Sequence, residues 1–189
     1  MLLVPRKNLL VPKKAFFTKG VGTHKAELRS FELALRDAGI EKCNLTHVSS
    51  ILPPEAKIIS RNEGLKELYA GMIAFTVMSR CCSNEPHRLI AASIGCAVPA
   101  DKSAYGYLSE HHAFGQNEKV AGDFAEDLAV EMLASTLGLE FDEDKSWDEN
   151  KEIYRLSDKI VHTSNTTQTT VIGPEGYYST VVSAAVFLF

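Results

Sequence analysis

Two adjacent serines, Ser49 and Ser50, are the residues of this chain whose types and spacing can do chemistry. They lie at the end of a predicted strand, Cys43–Ile51, and are followed by Pro53 and Pro54, which fix φ and prevent a strand from continuing. A peptide bond held in one bend can undergo an N→O acyl shift, in which Ser50 Oγ attacks the carbonyl carbon of Ser49. The ester can then undergo β-elimination, which leaves Ser49 as a new C-terminus and residue 50 as dehydroalanine. Dehydroalanine then becomes a pyruvoyl group with loss of ammonia. From these residues alone, a strand end without chemistry is the alternative interpretation.

The histidines and cysteines do not follow a metal-binding pattern. His111 and His112 are adjacent on a predicted strand and therefore point to opposite faces, which makes a zinc site with the distant His162 the weaker alternative. The cysteines lack CxxC spacing and fall within apolar runs, so we expect buried, reduced thiols in a reducing cytoplasm rather than metal ligands. They are Cys43, Cys81, Cys82 and Cys96.

Upstream of the serines, a strand is predicted over Lys14–Lys19 and a helix over Glu27–Ala38. Apolar residues in the helix recur at intervals of three and four, and Gly39 is a natural end. The segment Cys43–Ile51 is then predicted to be one strand.

Downstream, the apolar runs Gly71–Cys81 and Arg88–Val98 are predicted to be adjacent strands of one buried sheet, and Tyr105–Phe114 a third strand. A helix over Glu118–Leu137 is predicted to begin at the cap Asn117 and end at Gly138. Its expected buried stripe consists of Val120, Ala121, Phe124, Leu128, Met132 and Leu133.

The end of the chain is predicted to form two more strands. Glu140–Glu152 is acidic and indicates a solvated loop. The strands follow at Glu152–Thr163 and Ser179–Phe189, and the second is apolar almost throughout, so we expect both of its faces to be covered.

Two helices and at least six strands that do not alternate indicate an α+β fold in which sheet packs on sheet with helices outside. The 189 residues are enough for a single domain, assigned here to 13–189. Residues 1–12, which contain the near-repeat LLVPRK and LLVPKK, are interpreted as an irregular N-terminal extension. Their apolar pieces are too short for a signal peptide or a membrane span. The net charge of −4 makes nucleic acid and acidic membranes unsuitable partners.

The run SFELALRDAGIEKCNLTHVSSILPP, Ser30–Pro54, strongly resembles the pyruvoyl-dependent arginine decarboxylase family. The resemblance extends from about Lys13 to the C-terminus. It includes the segment AFFTKGVG near the start, AVPADKS at Ala97–Ser103, and GYLSEHHAFG at Gly106–Gly115.

This resemblance implies a proenzyme that cleaves itself between the two serines and assembles as a homotrimer, or a multiple of it, of four-layer αββα sandwiches. The β chain would be Met1–Ser49 and the α chain Ser50–Phe189. Residue 50 would carry a covalently bound pyruvoyl group, which forms a Schiff base with the substrate amine, without pyridoxal phosphate or a metal. The implied reaction converts L-arginine to agmatine and CO₂ for polyamine biosynthesis.

The resemblance also assigns roles to three further residues. Glu110 matches a glutamate proposed as the general acid, and Asn44 an asparagine linked to processing or to the active site. Glu32 matches an acidic residue, aspartate in some members, that contacts the substrate guanidinium. Without the resemblance, these residues would be read as an exposed strand carboxylate, a turn-forming asparagine and a solvent-facing helix glutamate.

Asn44 and Ser50 lie on the same face of the predicted strand, about 20 Å apart if it stays extended. Either the chain folds back between them, or the Asn44 that acts on a given Ser50 belongs to a neighbouring protomer. Decarboxylation of another amino acid, and a non-catalytic oligomeric relative, are the alternatives to the arginine decarboxylase.

Overall fold

A computed structural model describes residues 10–139 and 159–189. In these two ranges the chain forms three helices and nine strands, which confirms the predicted α+β class. In chain order they are β1 (Lys14–His24), α1 (Glu27–Ala38), β2 (Asn44–His47), β3 (Ile51–Leu52), β4 (Lys57–Ile58), α2 (Arg61–Glu67), β5 (Ile73–Ser83), β6 (Leu89–Pro99), β7 (Gly106–Phe114), α3 (Glu118–Thr136), β8 (Ile160–Val171) and β9 (Tyr178–Leu188).

The strands form two sheets. Sheet I has the order β2-β5-β9-β1-β4, and sheet II has the order β3-β7-β6-β8. The last strand, β9, pairs antiparallel with both β1 and β5 and is buried along almost its whole length, as its continuous apolar sequence predicted. Side chains of the two sheets meet in one apolar cluster that contains Val77, Ile94, Leu108 and Phe187.

The predicted pairing of the runs at Gly71–Cys81 and Arg88–Val98 is wrong. These runs form β5 and β6, which belong to different sheets and pack against each other. The in-sheet neighbours of β5 are β2 and the C-terminal β9, whereas β6 lies between β7 and β8. Both runs are apolar on both faces. Such a pattern predicts that a strand is buried, but it does not predict which strand it pairs with.

The single strand predicted over Cys43–Ile51 is also wrong. Its first part forms β2, the edge strand of sheet I, and its last residue begins β3, the edge strand of sheet II. The serine pair lies between the two strands rather than inside one.

Helix α1 has the predicted bounds and ends at Gly39, which adopts a φ of 78°. It packs on β1 and β9. The helix lies close to β1, as the space at Gly22 shows. A Cβ added to Gly22 would lie 2.2 Å from the carbonyl oxygen of Ser30. Glycine is therefore required for the helix to lie at this distance from sheet I.

Helix α3 packs on β6, β7 and β8 and is capped as predicted, with Asn117 Oδ1 accepting a hydrogen bond of 2.9 Å from the Val120 N–H. Its predicted buried stripe is partly wrong, because Val120 and Phe124 are 49% and 51% exposed. The buried face is made largely of small residues: Ala121, Gly122, Ala125, Ala129, Val130, Leu133 and Ala134. Small side chains bring the helix close to sheet II, where Ser109 Oγ donates to the backbone carbonyl of Ala125.

The end of the chain differs from the predicted bounds. The final strands are Ile160–Val171 and Tyr178–Leu188, so the first of them lies mostly beyond the predicted Glu152–Thr163. The acidic segment Glu140–Glu152 lies outside the described residues.

All four cysteines are free thiols. Cys81 and Cys96 are buried as predicted, whereas Cys43 and Cys82 are partly exposed. Burial raises the pKa of Cys96 to about 12, which keeps this thiol protonated. Across the described ranges, no helix is long and apolar enough to cross a membrane.

Candidate active site

The Ser49–Ser50 peptide bond lies where the chain passes from one sheet to the other. Before it, the Val48 N–H donates to the carbonyl oxygen of Thr76 in β5 at 3.0 Å. After it, the Ser50 carbonyl accepts a hydrogen bond of 2.8 Å from the Leu108 N–H in β7. The bond is therefore held from both sides, by one hydrogen bond to each sheet.

The segment after the serines is anchored in the core. Leu52 is 2% exposed and packs in the cluster between the sheets, and it pairs with Gly106 of β7. The Ala56 N–H donates to the Pro53 carbonyl, which closes a turn directly after β3. Ser49 itself is exposed and Ser50 half-buried, so the anchored segment presents the bond at the surface of the protomer.

A further hydrogen bond acts within the serine segment. The Ile51 N–H donates to the carbonyl oxygen of Ser49 at 2.8 Å. A bond between residues two apart closes a γ-turn centred on Ser50. The carbonyl of the bond that an acyl shift would break is thus hydrogen-bonded within its own segment.

Glu110 is brought near Ser50 by strand β7. Side chains alternate along a strand, and both Ser109 and His111 face α3, since Ser109 Oγ donates to Ala125 and the His111 ring lies 4.4 Å from that of Phe124. Glu110 therefore faces the opposite side, as Leu108 does, and it is exposed. It follows Leu108, the partner of Ser50, by two residues, or about 7 Å along the strand.

The structure does not bring Asn44 to Ser50 within one chain. Asn44 begins β2, which pairs in register with β5 from Asn44 to His47 and continues to the Val48 hydrogen bond. Four residues of extended chain separate Asn44 from Val48, or about 13 Å. The Asn44 side chain instead donates from Nδ2 to the Gly71 carbonyl at 3.1 Å, and so supports a neighbouring turn.

Glu32 lies in another layer of the protomer. Helix α1 packs through Ala34 and Ala38 on one side of sheet I, and sheet II packs on the other side. Two arginines of the same helix flank the Glu32 carboxylate, with Arg29 Nη1 at 2.6 Å and Arg36 Nε in a short contact. The Arg29 contact is close enough for an ion pair, but it lacks hydrogen-bond geometry. Sheet I thus separates Glu32 from Glu110 in a single chain.

The histidines are arranged as the alternation predicted, because His111 faces α3 and His112 the opposite side of the strand. His162 lies on β8, at the far edge of sheet II from β3. In the described part of the chain, no group of three or more His, Cys, Asp or Glu residues could hold a metal ion.

An apolar cavity that the sequence did not reveal borders Ser49. Its volume is about 260 Å³. Phe75 and Phe189 make an edge-to-face contact there, with ring centroids 5.6 Å apart. The lining residues are Leu10, Pro12, Val48, Ser49, Ile51, Phe75, Phe187 and Phe189. The apolar C-terminal strand was recognisable in the sequence, but its position beside the serines depends on the pairing of β9 with β5.

Comparison with known proteins shows the family of this chain. The family model for pyruvoyl-dependent arginine decarboxylase matches residues 14–189. The chain belongs to this family. A probable pyruvoyl-dependent arginine decarboxylase of Chloroherpeton thalassium is 59% identical over 178 residues, which cover 94% of this chain and 98% of the relative. Pyruvoyl-dependent arginine decarboxylase 2 of Methanosarcina acetivorans is 53% identical over 179 residues, which cover 95% and 98%.

The residues around Ser50 fit the prosthetic group of the pyruvoyl-dependent arginine decarboxylase family. A pyruvoyl group formed at residue 50 would keep the carbonyl that Leu108 holds, because processing changes only the atoms before that carbonyl. Its position is half-buried, so an amino-acid substrate can reach it. Glu110 is the acidic residue that β7 places beside this position.

Replacing Glu110 by glutamine should separate processing from turnover. The amide keeps the shape of the side chain but cannot deliver a proton, and a positioned general acid contributes typically about 10²–10⁴-fold. We expect Glu110→Gln protein to form two fragments while kcat for decarboxylation falls by about that factor. Glu175→Gln, at an exposed turn, serves as the matched control. A fully cleaved Glu110→Gln protein with the wild-type kcat would contradict the role.

Proposed function

We propose that this protein is a self-processing pyruvoyl-dependent decarboxylase that converts L-arginine to agmatine and CO₂ and contributes to polyamine biosynthesis. The observation that carries the proposal is the Ser49–Ser50 bond, held between the two sheets with Glu110 two residues beyond its anchor on β7. Membership of the family and the names of the relatives support arginine as the substrate.

Processing needs no reactant other than water. Ser50 Oγ forms a bond to the Ser49 carbonyl carbon, the bond from that carbon to the nitrogen of residue 50 breaks, and the Oγ proton is transferred to the leaving nitrogen. Elimination then transfers the Cα proton of residue 50 to water, breaks the bond from Cβ to Oγ and releases Ser49 as a carboxylate. Water hydrolyses the resulting dehydroalanine at residue 50 and releases ammonia. The products are fragments 1–49 and 50–189.

When formed, the pyruvoyl group supplies carbonyls that withdraw electrons as the substrate carboxylate leaves. Residues of the chain position this group and deliver the proton. Leu108 holds residue 50 in place, and Glu110 holds a proton for delivery to the α-carbon of the substrate. The phenylalanines of the cavity beside Ser49 keep part of this region apolar.

Substrate recognition is assigned to Glu32. A carboxylate can accept two parallel N–H bonds from a guanidinium, which selects for both charge and planar shape. Arg29 and Arg36 already present guanidinium groups to this carboxylate, so arginine must compete with groups of the same chemistry. The second candidate function is decarboxylation of another amino acid, which applies if Glu32 does not select for a guanidinium group.

We also propose that protomers are four-layer αββα sandwiches that assemble as homotrimers, or a multiple of them, with shared active sites. The packing of α1 on sheet I, of the sheets on each other and of α3 on sheet II supports the layers. Two separations within one chain support shared active sites. Sheet I lies between Glu32 and Glu110, and extended chain separates Asn44 from Val48. Free thiols at all four cysteines support a reducing compartment such as the cytoplasm.

Denaturing electrophoresis and mass spectrometry test the processing. Wild-type protein should yield two fragments, and the fragment that starts at residue 50 should resist Edman sequencing because a pyruvoyl group has no free amine. Ser50→Ala should remain one inactive chain, whereas Ser50→Cys can cut slowly, since a thiol can make the same shift. Cleavage of Ser50→Ala at the same bond would exclude the mechanism.

Steady-state kinetics test the role of Glu32. Glu32→Gln loses the charge of the carboxylate, and a charge-assisted hydrogen bond contributes about 1.5–3 kcal/mol. We expect KM for arginine to rise by roughly ten- to a hundredfold, with weaker discrimination against uncharged amino acids. Glu41→Gln, at an exposed position after α1, is the control. An unchanged KM for arginine in Glu32→Gln would place the specificity determinant elsewhere.

Mixing two inactive variants tests the shared site. Asn44→Ala and Ser50→Ala chains, distinguished by mass, should each remain uncut alone. After co-refolding, the Ser50→Ala chain supplies an intact Asn44 to its neighbour. Cleavage should therefore be restored only in Asn44→Ala chains, which retain Ser50. With equal mixing, about half of those chains should have a suitable neighbour. If mixed oligomers form and none of these chains is cut, Asn44 does not act across subunits.

A further inference from the structure

The hydrogen-bond pattern of sheet II does not use the Ile51 N–H. In an antiparallel pair, hydrogen-bonded and non-hydrogen-bonded positions alternate. The Leu108 N–H bonds to Ser50, so the next pair, Ile51 with Tyr107, is a non-hydrogen-bonded one. The Ile51 N–H therefore points away from β7, toward the open side of the edge strand β3, where it meets the Ser49 carbonyl.

The turn that makes this contact needs no unusual backbone. Apart from glycine, the residues with positive φ in the described part of the chain are Glu55 and His87. Ser50 thus has the negative φ of the inverse γ-turn, which is the common form. The hydrogen bond can persist in the folded proenzyme until cleavage occurs.

The Ser49 carbonyl oxygen is the atom on which charge develops in the acyl shift. When Ser50 Oγ bonds to the carbonyl carbon, this oxygen becomes an oxyanion until the carbon–nitrogen bond breaks. A donor already aimed at that oxygen stabilises the intermediate without reorganisation, and effective donors lie about 2.7–3.1 Å away. The distance of 2.8 Å from Ile51 N lies in this range.

We infer that the backbone N–H of Ile51 is the oxyanion donor of self-cleavage. The inference rests on the proposed function, since it concerns the step that produces the pyruvoyl group. The segment thereby supplies both the nucleophile, from Ser50, and the electrophilic stabiliser, from the next residue. The Ile51 side chain is 36% exposed, so it is Leu52 that anchors the segment in the core.

Replacing one backbone atom tests the inference. Incorporation of the α-hydroxy analogue of isoleucine at position 51 by nonsense suppression converts the amide N–H to an ester oxygen and keeps the side chain. Loss of one oxyanion donor typically costs about 10²–10³-fold, and we expect proenzyme cleavage to slow by that factor. Intact-mass time courses distinguish the cut at 49/50 from hydrolysis of the introduced ester at 50/51.

Two genetic variants provide a second measurement. Ile51→Pro removes the N–H without an ester, whereas Ile51→Val shortens the side chain and keeps the N–H. We expect Ile51→Pro to be cut far more slowly than Ile51→Val, while circular dichroism shows both to be folded. Equal cleavage rates for the ester and wild-type proteins would overturn the assignment and leave the proposed function intact. A wild-type chain that is never cut would overturn both.

Discussion

The position of the serine pair depends on how the chain leaves one sheet and enters the other. The chain makes this crossing within three residues, between the end of β2 at His47 and the start of β3 at Ile51. Both β2 and β3 are edge strands, and the backbone hydrogen bonds of Val48 and Ser50 belong to different sheets. Between them lies the Ser49–Ser50 peptide bond, whose carbonyl accepts a hydrogen bond from Ile51 in the same segment. This gap in the ladders is where the chemistry can occur.

The rest of the core fixes the two sides of this crossing relative to each other. Leu52 and Leu108 on the side of sheet II pack with Val77 and Phe187 on the side of sheet I. The bond between Ser79 Oγ and the His111 carbonyl adds a polar contact of 2.6 Å across the same interface, farther along β5 and β7. Because β7 carries both the anchor of Ser50 and Glu110, packing that positions one also positions the other.

The sequence predicted local elements well and their partners poorly. The bounds of α1 followed from apolar spacing and Gly39, and the start of α3 followed from Asn117, because these signals act within a few residues. The pairing of β5 with β9 joins residues about a hundred positions apart, and no local pattern encodes it. Three of the four buried alanines of α3, Ala125, Ala129 and Ala134, were missed for a related reason. An alanine signals burial only once close helix–sheet packing is known, as at Gly95, where a Cβ would lie 2.0 Å from the Ala125 carbonyl oxygen.

The candidate site shows the same division. Ser49 and Ser50 attract attention from their types and from the diproline, but Glu110, Asn44 and Glu32 acquired roles only through the resemblance. The structure groups Glu110 with the serines and leaves Asn44 and Glu32 apart, a distinction that spacing along the chain did not make. The apolar cavity with Phe189 could not be predicted because it requires the C-terminal strand to lie beside β5.

An open edge with a reactive bond also needs protection. Unpaired edge groups favour association with other chains, and natural proteins usually cover such edges. In the proposed trimer, a neighbouring protomer would cover the crossing at Ser49 and limit the access of water to it. The same neighbour would supply a carboxylate that the fold places on the far side of sheet I. Covering the edge and completing the substrate site would then be one event, so that assembly and catalytic competence depend on the same contact surface.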